Sequence, residues 1–243
     1  ARRDQDAWRA EVDRDHFVAY FPHREQGIIY FKDREYDKAI AALEASLDHE
    51  PSARAAYFLD KARAARTSRA GSDRKPPVLI LEGSSAREIT KALTWAVKGV
   101  ASDDTFVASV TVNGRPVPMD TAEQKKIFST DIPLAEGNNI IRFAATDLSG
   151  KSTEKTLSVY ADRYGPQIEI EELTTADNII NLRGNVSDDN GVASLKINGE
   201  RWPITGNAPG YNFKLILPEG DISIISSDRA GNVTRAFIRG SEP

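Results

Sequence analysis

The chain has no cysteine. That single absence removes disulfides, thiolate metal sites and a cysteine nucleophile together. It suits a bacterial envelope protein that stays clear of disulfide chemistry, although by itself it assigns no compartment. Histidine is nearly absent too. His16, His23 and His49 all precede residue 50, with no His-x-x-x-His pairing, so no metal centre or other cofactor is expected and surface or helix-packing roles suffice. The remainder of the chain lacks the base that a serine nucleophile needs, which removes most hydrolase mechanisms there. Charge of one sign is missing as well: 32 Lys and Arg face 36 Asp and Glu, a net charge of −4, without the basic surplus of a nucleic-acid binder. No apolar run approaches the roughly 18 residues needed to cross a bilayer, and none reads as a signal peptide. The chain opens ARRDQDAW without methionine, and the expectation is that an export signal or lipid-anchor segment has been removed upstream.

What is present is written twice. GVASDDTFVASVTVNGRPVP, from Gly99, returns as GNVSDDNGVASLKINGERWP, from Gly184, at a constant offset of 85 positions. Ten of the twenty aligned positions are identical: Gly99/Gly184, Ser102/Ser187, Asp103/Asp188, Asp104/Asp189, Val107/Val192, Ala108/Ala193, Ser109/Ser194, Asn113/Asn198, Gly114/Gly199 and Pro118/Pro203. Downstream, FSTDIPLAEGNNIIRFAATDLSGK answers FKLILPEGDISIISSDRAGN. Self-similarity at a fixed period marks a module of about 85 residues used in tandem, preceded by a remainder of different character.

That remainder reads as helical. Ala7, Trp8, Val12, Phe17 and Tyr20 fall at roughly helical spacing over residues 4–20, and Pro22 suits the first turn of a following helix. Gly27, Tyr30, Tyr36, Ala39, Leu43, Ser46 and Pro51 then follow the small, aromatic and large-apolar spacing of a tetratricopeptide repeat, with His23 standing where that motif has an aromatic residue. Gly27 and Ala39 allow two antiparallel helices to approach closely, and Tyr30 and Leu43 fill the surrounding space. Residues 1–66 therefore resemble a tetratricopeptide-like domain, with 52–66 as half a further repeat or a cap. The resemblance implies an inner face lined by Arg24, Ile28, Phe31, Lys32 and Phe58, suited to an extended or helical peptide of a protein partner.

Residues 67–76 read as a linker of Gly, Ser, Pro and charge. Beyond it the period becomes two, in short Val- and Ile-rich runs bounded by turn residues, which indicates antiparallel sandwiches. Only REITKA, from Arg87, competes as a helical turn. Asn113-Gly114 and Asn198-Gly199 fit two-residue type I′ hairpins, Asp147 to Gly150 and Asp228 to Gly231 a second hairpin each, and Ser-Asp-Asp a third. This grammar resembles the bacterial immunoglobulin-like domains found in tandem in envelope and secreted proteins. The fold class expected is multidomain α plus β: helical tetratricopeptide-like hairpins, then two antiparallel immunoglobulin-like β-sandwiches over 77–163 and 164–243.

One constellation has chemical potential. Asp103, Asp104, Asp188 and Asp189, with Asp147 and Asp228, offer hard oxygen ligands of the kind Ca²⁺ takes. Turn capping explains each of them equally well, and the 12-residue calcium-loop spacing is absent. Trp95 and Trp202 read as core or edge packing, or as sugar platforms where exposed. The resulting expectation is a non-enzymatic scaffold or adaptor of the bacterial envelope, in which the helices dock a protein and the sandwiches act as a spacer or second docking surface. The alternative is a polysaccharide-binding accessory module of a secreted enzyme.

Overall fold

The computed structural model describes residues 5–13, 16–82, 88–204, 206 and 208–240. In chain order its elements are β1 (Ala7–Asp13), β2 (His16–Tyr20), α1 (Pro22–Lys32), α2 (Tyr36–His49), α3 (Ala53–Ala70), β3 (Val78–Leu81), β4 (Glu88–Thr90) and β5 (Thr94–Val112). There follow β6 (Arg115–Pro116), β7 (Glu123–Pro133), β8 (Gly137–Asp147), β9 (Ser152–Ala161), β10 (Gln167–Ala176) and β11 (Ile179–Ser187). The last are β12 (Val192–Ile197), β13 (Glu200–Arg201), β14 (Gly210–Pro218), β15 (Ile222–Asp228) and β16 (Val233–Ile238). They form two compact units. One is Ala1–Ser84, Ala96–Thr130 and Ile141–Leu157; the other is Ser85–Trp95, Asp131–Ile140 and Ser158–Pro243.

In the first unit the chain begins with strands, not with the expected helix. β1 and β2 pair antiparallel, Ala7 opposite Tyr20 and Glu11 opposite Phe17. Aromatic and β-branched residues at 8, 12, 17, 18 and 20 suit a strand as well as a helix, and tertiary contacts decide: the Trp8 ring meets Phe21 edge-on at 4.8 Å and its Nε1 donates to the Pro51 carbonyl at 3.0 Å. Three helices come next among the described residues. Their core is Ile28, Ala39, Ile40, Leu43, Ala55, Leu59 and Ala62. The close approach of α1 and α2 is set at Gly27, where an added Cβ would lie 2.6 Å from Leu43 Cγ and 3.2 Å from the Ala39 carbonyl oxygen. These helices do not make a block of tetratricopeptide hairpins: α3 runs unbroken to Ala70, ends on Gly71 in the left-handed conformation (φ 59°), and leads to β3. The linker expected from residue 67 thus begins at Gly71, since Thr67 is buried on the helix.

The same unit holds much of the first sandwich. β3 pairs with the first part of β5, Val78 opposite Ser102, and the second part of β5 pairs with β8, Val107 opposite Asp147. Leu79, Leu81, Val97, Val107, Val110, Phe128, Ile141 and Phe143 are buried there. α3 is tied to it: both Asp60 carboxylate oxygens accept the Ala122 N–H (3.0 and 3.2 Å), Arg63 donates to the Ala122 carbonyl at 2.9 Å, and its guanidinium lies 4.4 Å from the Phe106 ring centroid.

The second unit contains a complete two-sheet sandwich. One sheet has the order β10-β11-β14, the other β13-β12-β15-β16. Inward residues from both, including Leu182, Val186, Leu195, Ile197, Phe213, Ile222 and Ile224, form one core, each large side chain contributing about 1.5–3 kcal/mol by leaving water. Within this unit residues 88–90 are not a helical turn. They form β4, parallel to the end of β9, Ile89 opposite Tyr160.

The Asn-Gly turns of the two copies match closely. Asn113 and Asn198 sit at φ 50° and 49°, followed by Gly114 and Gly199 at 76° and 83°, the positive pair that a type I′ turn requires. Asn113 accepts the Arg142 N–H at 2.9 Å and Asn198 the Ser223 N–H at 2.8 Å. The Ser-Asp-Asp segment differs from expectation. It is no hairpin: in the second copy it is the turn by which the chain passes from β11 in one sheet to β12 in the other, and in the first it lies inside the continuous strand β5.

Candidate functional site

The residues expected to line a helical docking face are not brought together. Ile28 is 3% exposed, consumed by the core against α2 and α3, which corrects its assignment to a surface lining. Arg24 is turned onto Phe21 and Glu25, its guanidinium carbon 4.0 Å from the Phe21 centroid. Phe31 and Phe58 pack edge to face at 5.7 Å, partly buried against the helical core, and Lys32 is exposed. Phe31 remains at the rim of a cavity of about 550 Å³, whose walls include Lys61 and Ala65 of α3 and Leu148 of the β8–β9 turn. The helix N-terminus carries an anchor that the sequence did not disclose. Asp6 accepts the His23 and Arg24 N–H groups (3.0 and 3.2 Å) at the start of α1, and His23 Nδ1 lies 3.1 Å from Asp6 Oδ1, with His49 ring to ring at 5.0 Å. Burial acts to raise the Asp6 pKa, and the nearby Ser46 hydroxyl with these hydrogen bonds outweighs it, so the carboxyl sits below its ordinary value.

The acidic constellation resolves into two groups of three. Asp73, Asp103 and Asp147 have ligand oxygens all within 4.8 Å of one another, as do Asp162, Asp188 and Asp228. Asp103, Asp188, Asp147 and Asp228 were legible. Asp104 and Asp189 stand exposed and outside both groups. Asp73 lies in the stretch read as a linker and Asp162 at the end of the first sandwich's range, yet the signal was there: Asp-Arg-x-x-Pro recurs as Asp73 to Pro77 and Asp162 to Pro166.

The four aspartates within the repeats accept N–H groups from residues two to four further on. Asp103 Oδ1 accepts from Thr105 N at 2.8 Å and Asp188 Oδ1 from Asn190 N at 2.8 Å. Asp147 Oδ1 accepts from Ser149 N and Lys151 N (2.8 and 2.9 Å), and Asp228 Oδ1 from Asn232 N (2.8 Å). The copies part company at one position. In the first, the Lys151 ammonium lies 2.7 Å from Asp73 Oδ2 and 3.8 Å from Asp147 Oδ2. In the second the equivalent residue is neutral Asn232, whose Nδ2 donates to Asp228 Oδ2 and to the Asp162 carbonyl, both at 2.8 Å. The electrostatic consequence is visible. The Lys151 ammonium and then the Ser149 hydroxyl hold Asp73 below the usual carboxylate range, and Asp73 raises Lys151 in return. Burial, opposed by the Asn190 N–H and reinforced by the neighbouring charges of Asp162, Asp228 and Asp189, pushes Asp188 up. The second group borders a cavity of about 410 Å³ with Tyr160, Tyr164 and Gln167 in its walls. Trp95 and Trp202 offer no open platform: Trp95 Nε1 donates to Glu88 at 2.9 Å, and Trp202 packs against the second core.

Comparison with known proteins places the sandwiches. The family model of Glucodextranase, domain B, matches residues 77–163. Over 183 residues the chain is 27% identical to Bacillopeptidase F of Bacillus subtilis (strain 168), across 72% of this chain and 12% of that protein. The chain thus spans about an eighth of the relative's length. Similar solved structures include the fibronectin(III)-like modules of Clostridium thermocellum CbhA (15% identity, 67% of this chain and 92% of that one, TM-score 0.35) and bovine butyrophilin (10%, 69% and 100%, TM-score 0.42). Another is Bacteroides ovatus SGBP-B in complex with a mixed-linkage heptasaccharide (14%, 70% and 48%, TM-score 0.27). The two-sheet topology of the second copy and the family match over the first define immunoglobulin-like β-sandwich domains, which fit an envelope or secreted protein. Among the described residues no helix is long and apolar enough to cross a membrane.

Proposed function

We propose that this chain is a non-catalytic accessory part of a bacterial envelope or secreted protein, in which the helical section docks a protein partner and the sandwiches hold it at a distance. The observation that carries the reading is the fastening of α3 to sandwich residues through Asp60, Arg63 and Ala122. The helical set is immobilised there, and the groove edged by Phe31 and Lys61 is left at its margin. A photo-crosslinking amino acid at Lys61 should trap a protein in bacteria producing the chain, whereas one at Ile216, 69% exposed on β14, should not. Equal trapping at both positions would refute docking at the groove.

A second reading rests on the other cavity. Tyr164 is 73% exposed beside Gln167 and Asp189, an aromatic face with polar neighbours such as sugars stack on. Glucodextranase, whose domain B the first sandwich matches, is named for a glucan. Calorimetric titration with glucan oligosaccharides should then give heat that Tyr164→Ala abolishes; no heat with the parent chain ends this reading.

A further inference from the structure

We propose that Asp73, Asp103 and Asp147 form a calcium site in the first sandwich and that Asp162, Asp188 and Asp228 form its repeat in the second. This stands apart from the docking reading and does not depend on it.

The first ground is a pair of oxygens with nothing to receive. The Asp147 side chain is 0% exposed; its Oδ1 takes two turn N–H groups, while its Oδ2 is buried, accepts no hydrogen bond and has the Lys151 ammonium 3.8 Å away. Asp103 Oδ2 is buried without a donor as well. An ionised oxygen removed from water without a hydrogen bond is unfavourable, and one ammonium shared among three carboxylates offsets only part of that cost. The second ground is charge. Three carboxylates and the Lys151 ammonium leave the first group two negative charges in excess, the complement of a divalent ion. The third is size. Calcium binds oxygens at about 2.3–2.6 Å, so ligands across the ion lie up to about 5 Å apart, and each group fits within 4.8 Å. An all-oxygen donor set favours Ca²⁺ or Mg²⁺ over softer metals. Donors drawn from an entry segment, a turn and either a strand (Asp103) or a second turn (Asp188) give irregular geometry, which Ca²⁺ tolerates and Mg²⁺ does not.

Assembly of the same three positions in both copies is the fourth ground, and the exchange of Lys151 for Asn232 gives it a consequence. Both groups have members lining a cavity; an incoming ion must displace or share the first site with an internal ammonium, while in the second it meets the Asn190 and Asn232 amides on Asp162 Oδ2 and Asp228 Oδ2. The second site is therefore the tighter.

The test uses the whole chain and calcium chloride. Isothermal titration should give two equivalents, with dissociation constants on the order of 10⁻⁴–10⁻³ M as in extracellular modules, and Ca²⁺ should raise the unfolding temperature. Asp147→Asn should lose the weaker equivalent and Asp228→Asn the tighter. Asparagine keeps the oxygen that accepts the turn N–H groups, and an unchanged far-UV spectrum verifies the fold. Lys151→Gln should tighten the first site about tenfold, because a competing charge is gone; a merely structural lysine would not do this. Absence of heat and of any thermal shift at about 10 mM Ca²⁺, an order above that range, overturns the proposal. So does binding that both Asp→Asn variants leave intact, or a loss of affinity in Lys151→Gln.

Discussion

Gly184→Ala tests the packing that the two copies share. Gly184 lies on β11 between Ile170 of β10 and Phe213 of β14. A methyl group there would fall 2.3 Å from the Glu169 carbonyl oxygen and 2.7 Å from Phe213 Cζ. The oxygen belongs to the backbone of a paired strand, so relief requires displacing β10 along much of its length rather than rotating one side chain. Overpacking of this kind costs about 1–3 kcal/mol. Removing glycine's freedom in the unfolded chain returns about 0.5–1 kcal/mol. The net expectation is a loss of about 1–2 kcal/mol, or roughly 5–10 °C in the unit's melting transition. Gly99→Ala meets only side-chain ends, Phe128 Cζ at 2.4 Å and Leu81 Cδ2 at 3.0 Å, and should cost about half as much because those atoms can yield. Urea unfolding, followed through the fluorescence of Trp202 for the first variant and by calorimetry for both, supplies the numbers. A Gly184→Ala protein as stable as the parent, or Gly99→Ala the worse of the two, would show that the close approach is not what fixes glycine here.

Asn198→Ala should lose about 2 kcal/mol, from left-handed strain and the Ser223 bond together, and Asn198→Gly about 1 kcal/mol from the bond alone; equal losses in denaturant titrations would remove the strain component. Arg63→Lys should cost about 1–2 kcal/mol and speed amide exchange in α3 relative to β14, since an ammonium cannot at once bond Ala122 and Glu44 and cover Phe106; unchanged exchange in α3 argues against that fastening. Two acids should respond to pH with opposite sign. Burial raises Asp60 above its ordinary 3.8, so the folded state holds the proton more firmly and stability falls as pH rises through that window. Asp6 lies below 3.8, and its contribution, full above that value, is lost as pH falls through the folded pKa. Melting temperature against pH should lose the first slope in Asp60→Asn and the acid-side slope in Asp6→Asn; parallel curves for both variants would refute these assignments.

How much of this was legible depends on how local each signal is. Asn113-Gly114 could be read directly because few residue types accept its backbone angles, and Asp147 to Gly150 because its bonds close within five residues. The strands β1 and β2 could not: Trp8, Val12, Phe17 and Tyr20 satisfy helical and extended spacing alike, and the choice falls to Phe21 and Pro51, far along the chain. Ile28 reads as a surface residue because one helical face says nothing of a third helix arriving to cover it. The aspartate groups were half visible. Asp103 and Asp188 repeat at the 85-residue offset and Asp147 and Asp228 mark the same turn in each copy, whereas Asp73 and Asp162 sit ahead of their sandwiches, and only the fold carries them to the others.

Duplicate modules on one chain invite mispairing, since a strand of one copy meets in the other a partner of nearly its own pattern, and repeat proteins fail in this way. The type I′ turns at Asn113-Gly114 and Asn198-Gly199 bear on that kinetic contest. Each closes Val112 onto Arg115 or Ile197 onto Glu200 across two residues, an event on the order of microseconds for a hairpin, whereas pairing across copies must first close a loop some forty times longer and pay the corresponding entropy. The turn therefore acts as a clock as well as a corner: each copy commits its own strands before its twin can compete for them.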